Sequence, residues 1–251
     1  MILKELLQGM KAYHQAVKII AKFNLWSYFI IPGIISLFLT LLLIFLGVIY
    51  LPDIAGYLNE NIVPGFLKGE ITVIVTTIFL WIFLLFFNFM VYKYIVLILF
   101  SPILSFLSEK VEMLVLRNEQ VRFAFKNFIS DIFRGLLINI RSIVREIIFT
   151  LLCWLLLIIP GIGAFVSVVL IFSIQAYYSG FGLVDYTLER KRLSVKQSIH
   201  YSKEHRWDIT GIGTGFMVLF MIPIIGWSIA PALGTVAATI NVLEKTGSER
   251  D

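Results

Sequence analysis

The chain has 251 residues, of which 59% are hydrophobic and 15% are charged, and its mean hydropathy is +0.91. This composition excludes a soluble globular protein, and the long uninterrupted apolar runs predict an all-α integral membrane protein. The formal net charge is +5, and the single cysteine, Cys153, excludes a disulfide framework within the chain.

Residues 1–23 are predicted to form a basic amphipathic helix. Four lysines recur at helical spacing and share one face, whereas apolar side chains occupy the opposite face. The lysines are Lys4, Lys11, Lys18 and Lys22, and the apolar residues are Leu6, Met10, Tyr13, Val17 and Ile20. Such a helix suits an anionic membrane surface, either as an anchor or as an electrostatic funnel for anions at a pore entrance.

Two full transmembrane helices follow, at residues 25–51 and 71–100. The first is free of charge throughout, and the Pro32-Gly33 pair is expected to kink it or to mark its start. The second is free of charge up to Lys93, which we interpret as a side chain that snorkels to the membrane surface. The acidic segment 52–70 is predicted to be the loop that joins these two helices.

Residues 101–146 are predicted to form charged helices on the cytoplasmic side, beginning at the N-cap pair Ser101-Pro102. Three arginines of this segment share one helical face, and an acidic i,i+3 pair, Glu109 and Glu112, precedes them. One interpretation is an ordinary solvated face, and the other is a set of charges along an anion route. The candidate route charges are Arg134, Arg141, Arg145 and Glu109.

Two helical hairpins, at residues 147–184 and 209–243, complete the predicted elements. Each is apolar and is interrupted by proline and glycine, at Pro160 and Gly161 in the first hairpin and at Pro223 and Gly226 in the second. The first arm of hairpin 147–184 is about 20 Å long, shorter than the roughly 30 Å hydrocarbon core of a bilayer. Both hairpins are therefore expected to enter the membrane and turn back rather than cross it.

The distribution of basic residues predicts the topology. Residues 1–23, 108–146 and 185–208 hold 4, 7 and 6 Lys or Arg, whereas loop 52–70 holds one. The positive-inside rule places the three basic segments in the cytoplasm, so both termini are expected there. Irregular backbone at the hairpin tips must be covered by protein or face water, which favours a homo-oligomer of a single membrane domain, residues 1–251.

The chain has few features of an enzyme. His14, His200 and His205 lack metal-ligand spacing, so neither a metal nor a catalytic residue is predicted. The glycines at 211, 213 and 215 follow no predicted strand, and close helix packing explains them better than a nucleotide loop. No cofactor and no nucleic-acid partner is expected, and Cys153 is interpreted as a buried core residue.

Several short motifs, in this order and spacing, resemble the bacterial CysZ sulfate permeases and the related etoposide-induced membrane proteins. They are NLWSYFIIP at 24–32, SPILSFLSEKVE at 101–112, ISDIFR at 129–134, IPGIG at 159–163, the Asp-Tyr pair at 185–186 and IPIIG at 222–226. The resemblance implies a multi-pass protein of the bacterial inner membrane with two long helices and two partly inserted hairpins. It also implies oligomeric assembly and sulfate uptake for cysteine synthesis.

The resemblance also assigns a substrate site. In the sulfate permeases a Gly-Leu-Arg motif before the first Ile-Pro holds sulfate, and the matching residues here are Asn24, Leu25 and Trp26. Backbone N–H groups of this turn, including Ser27, can still bind an anion, and Lys22 offers a charge in place of the arginine. The alternative is that Trp26 is an interfacial anchor and that the chain is a non-transporting, membrane-shaping or assembly factor. In either case the partners are membrane lipids.

Overall fold

The computed structural model describes residues 2–116, 128–159, 161–222 and 225–248, and these residues form helices without a β-strand. The helices are α1 Ile2–Phe23, α2 Ser27–Asn61, α3 Glu70–Leu99, α4 Ser101–Leu116, α5 Phe128–Trp154, α6 Ile162–Arg190, α7 Val195–Glu204, α8 Arg206–Phe220 and α9 Ile225–Ser248. Short 3₁₀ turns lie at Gly65–Leu67 and Leu155–Ile158. The prediction of an all-helical protein is confirmed.

Three helices within the described residues are long and apolar enough to cross a membrane. They are Ser27–Asn61, Ile162–Arg190 and Ile225–Gly247, and α3 contributes a shorter apolar stretch, Glu70–Leu85. These lengths fit the membrane character expected from composition. They do not distinguish helices that cross from hairpins that turn back, so the topology of two full spans and two re-entrant hairpins remains a prediction.

Helix α2 extends ten residues beyond the predicted end at residue 51. It continues through Pro52 and ends at Asn61, so Asp53 and Glu60 lie on the helix rather than in a loop. A proline within a helix removes one backbone hydrogen bond and bends the helix without having to end it. The connection to α3 is therefore short.

The segment Ile34–Lys93 forms one compact unit, built from the larger parts of α2 and α3. The indole of Trp81 packs directly on Gly47, where any side chain on residue 47 would collide with the ring. Most other large apolar side chains of the described part of this unit are exposed, as expected for helices that face lipid. Lys93 is an exception, since it is fully buried and has an interaction partner, so the snorkelling interpretation was wrong.

The second compact unit comprises Met1–Gly33 and Tyr94–Asp251, and α8 lies at its centre between α1 and α6. A side chain on Gly211 would collide with the backbone carbonyl of Leu6 in α1, and one on Gly213 would collide with that of Ala176 in α6. Gly215 lies against the ring of Tyr13. The glycine motif therefore provides close helix packing, as predicted.

Helix α1 is packed into this unit rather than only resting on a membrane surface. Its buried face consists of small residues and one isoleucine, namely Gly9, Ala12, Ala16 and Ile20, and it contacts α8 and α9. The Tyr13 hydroxyl donates a 2.8 Å hydrogen bond to the carbonyl of Ile212, and burial raises the pKa of Tyr13. The four lysines are exposed as predicted.

The first hairpin turns near its predicted tip, although its first arm is not a separate element. Helix α5 runs without interruption from Phe128 to Trp154, past the predicted boundary at residue 147. Gly161 adopts a φ of 75°, a left-handed conformation that glycine accepts without strain, and Pro160 lies outside the described residues. The two arms are joined by a 2.9 Å hydrogen bond from the Ser167 hydroxyl to the carbonyl of Cys153. The side chain of Cys153 is buried, as predicted.

The second hairpin repeats this geometry between α8 and α9. Gly226 packs against the carbonyl of Leu219 as Gly163 packs against that of Leu156, while Pro223 lies outside the described residues. The Trp227 indole donates a 3.0 Å hydrogen bond to the carbonyl of Phe220 and so caps the end of α8. The hairpins differ in the burial of the second arm, because most of α9 is buried whereas residues 162–170 of α6 are mostly exposed. The described residues at both tips are exposed.

Candidate functional site

The turn between α1 and α2 contains the residues that match the sulfate-binding motif. Asn24 has a φ of 52° and so occupies the left-handed position that commonly ends a helix. The N–H of Leu25 donates a 3.1 Å hydrogen bond to the carbonyl of Ile20, and both side chains are buried. This pattern is a Schellman motif, and it fixes the path of the chain into α2 at Ser27.

Trp26 and Lys22 are the two side chains of this turn that could take the place of the arginine in the sulfate-binding motif, and both lie at the surface. Trp26 is 50% exposed, and its ring lies 5.6 Å from that of Phe29. The Lys22 ammonium is also exposed and lies 5.3 Å from the Phe23 ring centroid. The turn therefore presents one ammonium group and one indole donor, in place of the planar guanidinium that binds an oxyanion with two hydrogen bonds.

Two of the candidate route charges, Arg141 and Arg145, line a cavity of about 420 Å³ between α5, α6 and α7. We call this cavity the cation pocket. Lys203 of α7 lines it as well. The Tyr177 hydroxyl lies 3.0 Å from that of Ser202, and Arg145 hydrogen-bonds to the Tyr178 hydroxyl. The side chain of Arg134 lies outside the described residues.

Glu109 is not part of the cation pocket but belongs to a buried network between α4, α6 and α9. Arg190 forms a 2.9 Å ion pair with Glu112 and donates a 2.8 Å hydrogen bond to the Ser108 hydroxyl. Glu109 is only 6% exposed. Burial raises the pKa of the Glu109 carboxyl; Arg190 lowers this pKa and Glu112 raises it. The acidic pair is therefore not a solvated face.

Three buried hydroxyls extend this network. Ser108 lies 3.1 Å from Thr187 and 2.7 Å from Thr239, and the two threonine hydroxyls are 3.2 Å apart. We call Arg190, its acidic partners and these hydroxyls the polar seam. Among the described residues, the Nη1 atom of Arg190 is buried without a hydrogen-bond partner.

Of the polar seam, only the acidic residues Glu109 and Glu112 were singled out in the sequence, whereas Arg190 and the three hydroxyls were missed. Arg190 begins a basic run, Arg190 to Arg192, whose simplest explanation is membrane topology. Thr187 and Thr239 are small polar residues near the cytoplasmic-side ends of their helices in the predicted topology, and such residues more often join helices than line a pathway. The one usable signal was the position of Arg190 directly at the end of an apolar helix.

The histidines do not form a metal site. His200 makes an exposed i,i+4 pair with Glu204 at 3.2 Å, and the His205 ring stacks on Tyr201. Within the ranges that the structure describes, no group of three or more His, Cys, Asp or Glu side chains is arranged to hold a metal ion.

Sequence comparisons relate the chain to one known family. A search of curated proteins finds no match. A family model described as sulfate transporter CysZ/etoposide-induced protein 2.4 matches residues 12–231. This range includes the α1–α2 turn, the residues of the polar seam other than Thr239, the first hairpin, and the second hairpin as far as Pro231. Because the match covers most of the sequence, the chain belongs to the sulfate transporter CysZ/etoposide-induced protein 2.4 family.

Proposed function

We propose that the chain is an anion permease of the bacterial inner membrane that carries sulfate, or a similar small oxyanion, for cysteine synthesis. In this proposal both termini are cytoplasmic, α2 and α3 cross the membrane, and the two hairpins enter and turn back in a homo-oligomer. Family membership supports the transport class. The observation that carries the proposal is the polar seam, where a buried guanidinium nitrogen has no partner beside three hydroxyl groups.

The chemistry of the polar seam suits a tetrahedral oxyanion. A buried N–H without an acceptor costs free energy, and an anion oxygen would supply the missing acceptor. The Thr239 hydroxyl donates to the carbonyl of Thr235 and the Thr187 hydroxyl donates to that of Thr239, so an anion would have to replace such contacts. The Ser108 hydroxyl accepts from Arg190, and its own proton can turn toward an anion without adding charge. Glu109 and Glu112 offset the charge of Arg190, so an anion would be held weakly enough to leave again.

We propose that the α1–α2 turn is a second contact for the same anion, on the cytoplasmic side of the membrane. Asn24 takes the left-handed position at which the permease motif has glycine, so the turn can keep the same backbone path. Because the N–H of Leu25 is bonded to Ile20, the contacts to the anion are assigned to the N–H groups of Trp26 and Ser27. Trp26 replaces the arginine of that motif. Lys22, one helical turn earlier, supplies a positive charge. An ammonium group attracts an anion but cannot form the two parallel hydrogen bonds that a guanidinium forms.

Sulfate flux into proteoliposomes tests the proposal. The native chain is expected to carry sulfate, and Trp26→Arg is expected to raise the rate about tenfold or more, because a bidentate charge-assisted contact is worth roughly 1.5–3 kcal/mol. A known sulfate permease and empty liposomes serve as positive and negative controls. If neither the native chain nor Trp26→Arg carries sulfate while the positive control does, the transport proposal is rejected.

A second candidate is a non-transporting protein that shapes membranes or assists assembly. The observation in its favour is the first hairpin, whose tip exposes Leu155, Leu157, Ile158, Ile159 and Ile162. An apolar wedge that enters one leaflet would expand that leaflet. This candidate predicts that the native chain changes vesicle size or curvature at low protein-to-lipid ratio, and that Ile158→Asn with Ile162→Asn abolishes the change. Unaltered vesicles with the native chain would exclude it.

A further inference from the structure

The cation pocket adjoins an apolar groove, and the two share a wall. The groove has a volume of about 620 Å³, and Phe149, Tyr177, Tyr178 and Lys203 line both cavities. Leu170 and Ile174 of α6 form its apolar side. A positively charged end therefore continues into an apolar channel, which is the shape that an amphiphile with an anionic head requires.

The charged side chains that line the cation pocket are all positive. Arg141, Arg145 and Lys203 line it, and no Asp or Glu among the described residues does. Glu146 lies near Tyr178, but it is fully buried and has its own partner. The hydroxyls of Ser202, Tyr177 and Tyr178 add donors at the same place. Three cations with neighbouring hydroxyls form a suitable environment for a phosphate group.

The pocket lies where the apolar surface of the first hairpin ends. From Ile148 to Leu170, most large side chains of the described residues are apolar and exposed, whereas those from Gln175 to Glu189 are mostly buried. Arg145 is about 20 Å from the hairpin tip at 1.5 Å per residue, a depth that would leave it near the phosphate layer when the tip is inserted. Trp207 of the groove, with Arg206 at 5.1 Å from its ring, is typical of that layer.

A free dianion fits this place less well than a lipid does. Phe149, Phe181 and Ile199 line the pocket together with the cations, so a small hydrated anion would lose water against apolar surface without compensation. A phospholipid keeps its phosphate on the cations and buries its chain in the groove. We propose that the cation pocket and the groove bind one anionic phospholipid, with its phosphate between Arg141, Arg145 and Lys203 and an acyl chain along Leu170 and Ile174.

The test titrates the full chain in detergent with dioleoylphosphatidylglycerol or dioleoylphosphatidylcholine, and measures bound lipid by native mass spectrometry. The anionic lipid is expected to bind at least about tenfold more tightly. The exposed pair Arg141→Gln and Lys203→Gln is expected to weaken its binding about 25-fold, at about fivefold for each basic residue. Equal affinity for the two lipids overturns the proposal.

A matched control removes the same charge elsewhere. Lys11→Gln with Lys18→Gln, on the exposed face of α1, is expected to change the affinity for phosphatidylglycerol less than twofold. An equal loss in this control means that the lipid responds only to net charge, which contradicts a defined site. Leu170→Asn keeps the cations and is expected to weaken binding at least about threefold, because it shortens the apolar wall. If Leu170→Asn leaves the affinity for phosphatidylglycerol unchanged, the groove does not hold an acyl chain and the proposal is overturned.

Competition distinguishes a lipid headgroup from a free oxyanion. Inorganic phosphate or sulfate at millimolar concentration is expected to leave bound phosphatidylglycerol in place. Displacement at that concentration would assign the pocket to a soluble anion and would overturn the lipid proposal. Because the readout is lipid occupancy, failure here leaves the sulfate flux assay unaffected, and failure of sulfate flux leaves lipid binding unaffected.

Discussion

Gly213→Ala is expected to destabilise the protein by about 1–3 kcal/mol, the usual cost of forcing extra volume into a packed contact. The added methyl group would collide with the carbonyl oxygen of Ala176 and lie close to the backbone nitrogen of Gly180, both in α6. Backbone atoms cannot rotate away as a flexible side chain can. Helices α6 and α8 would therefore have to separate, and they share the most extensive helix contact of this unit.

The free energy of unfolding can be measured by titrating the purified chain with sodium dodecyl sulfate and following helix content. Gly135→Ala in α5 is the matched control, because no atom of the described part of the chain lies within 4 Å of the added methyl group. This control is expected to be neutral or to stabilise the helix by up to about 1 kcal/mol, the difference in helix propensity between glycine and alanine. Equal stability of the two variants would refute the proposed close packing of α8.

Arg190→Met is expected to cost about 3–5 kcal/mol of stability, because it leaves a buried carboxylate without its cation. Arg190 and Glu112 are 13% and 15% exposed in their side chains, so water screens their interaction only in part. The same substitution also removes the 2.8 Å hydrogen bond to Ser108. The apolar methionine replaces the arginine at similar length, so the loss reports the charge rather than a cavity.

A second substitution shows how much of the lost stability comes from the unpaired carboxylate of Glu112. In Arg190→Met with Glu112→Leu, at least half of the lost stability is expected to return, because Glu112, the carboxylate in direct ion-pair contact with Arg190, no longer carries an unpaired charge. Glu109 stays in place, so recovery is expected to be incomplete. Lys196→Met on the exposed surface of α7 is the control and is expected to stay within about 0.5 kcal/mol of the native chain. If the double variant is less stable than Arg190→Met alone, then the ion pair is not the main source of the effect.

The helical architecture could be predicted because the apolar runs and their breaks are local signals. The proline and glycine residues near 160 and 223 located both hairpin turns, and the glycines at 211, 213 and 215 indicated close packing. Helix ends were less predictable. Pro52 was taken as an end, but the helix tolerates it, and the change from charged to apolar sequence after residue 146 does not interrupt α5.

The candidate site was only partly predictable, because burial depends on which helices meet. Arg141 and Arg145 were identified from their shared face, whereas Lys203, which lines the cavity with them, lies on another helix some sixty residues later. Glu109 and Glu112 looked solvated until α6 and α9 were packed against them. Arg190 and Lys93 resembled membrane-boundary residues, yet both are largely or fully buried.

The two-sided glycine contact of α8 has a mechanical consequence. Because Gly211 lies against the backbone of α1 and Gly213 against that of α6, α8 can neither slide nor rotate relative to either neighbour without a collision. The three helices are therefore expected to behave as one rigid block. The tip half of the first hairpin is less constrained, since residues 162–170 of α6 lie outside this block and are mostly exposed, and a hydrogen bond between Ser167 and Cys153 joins them to the other arm. Any movement that opens a passage is expected to bend that hairpin while the block stays in register.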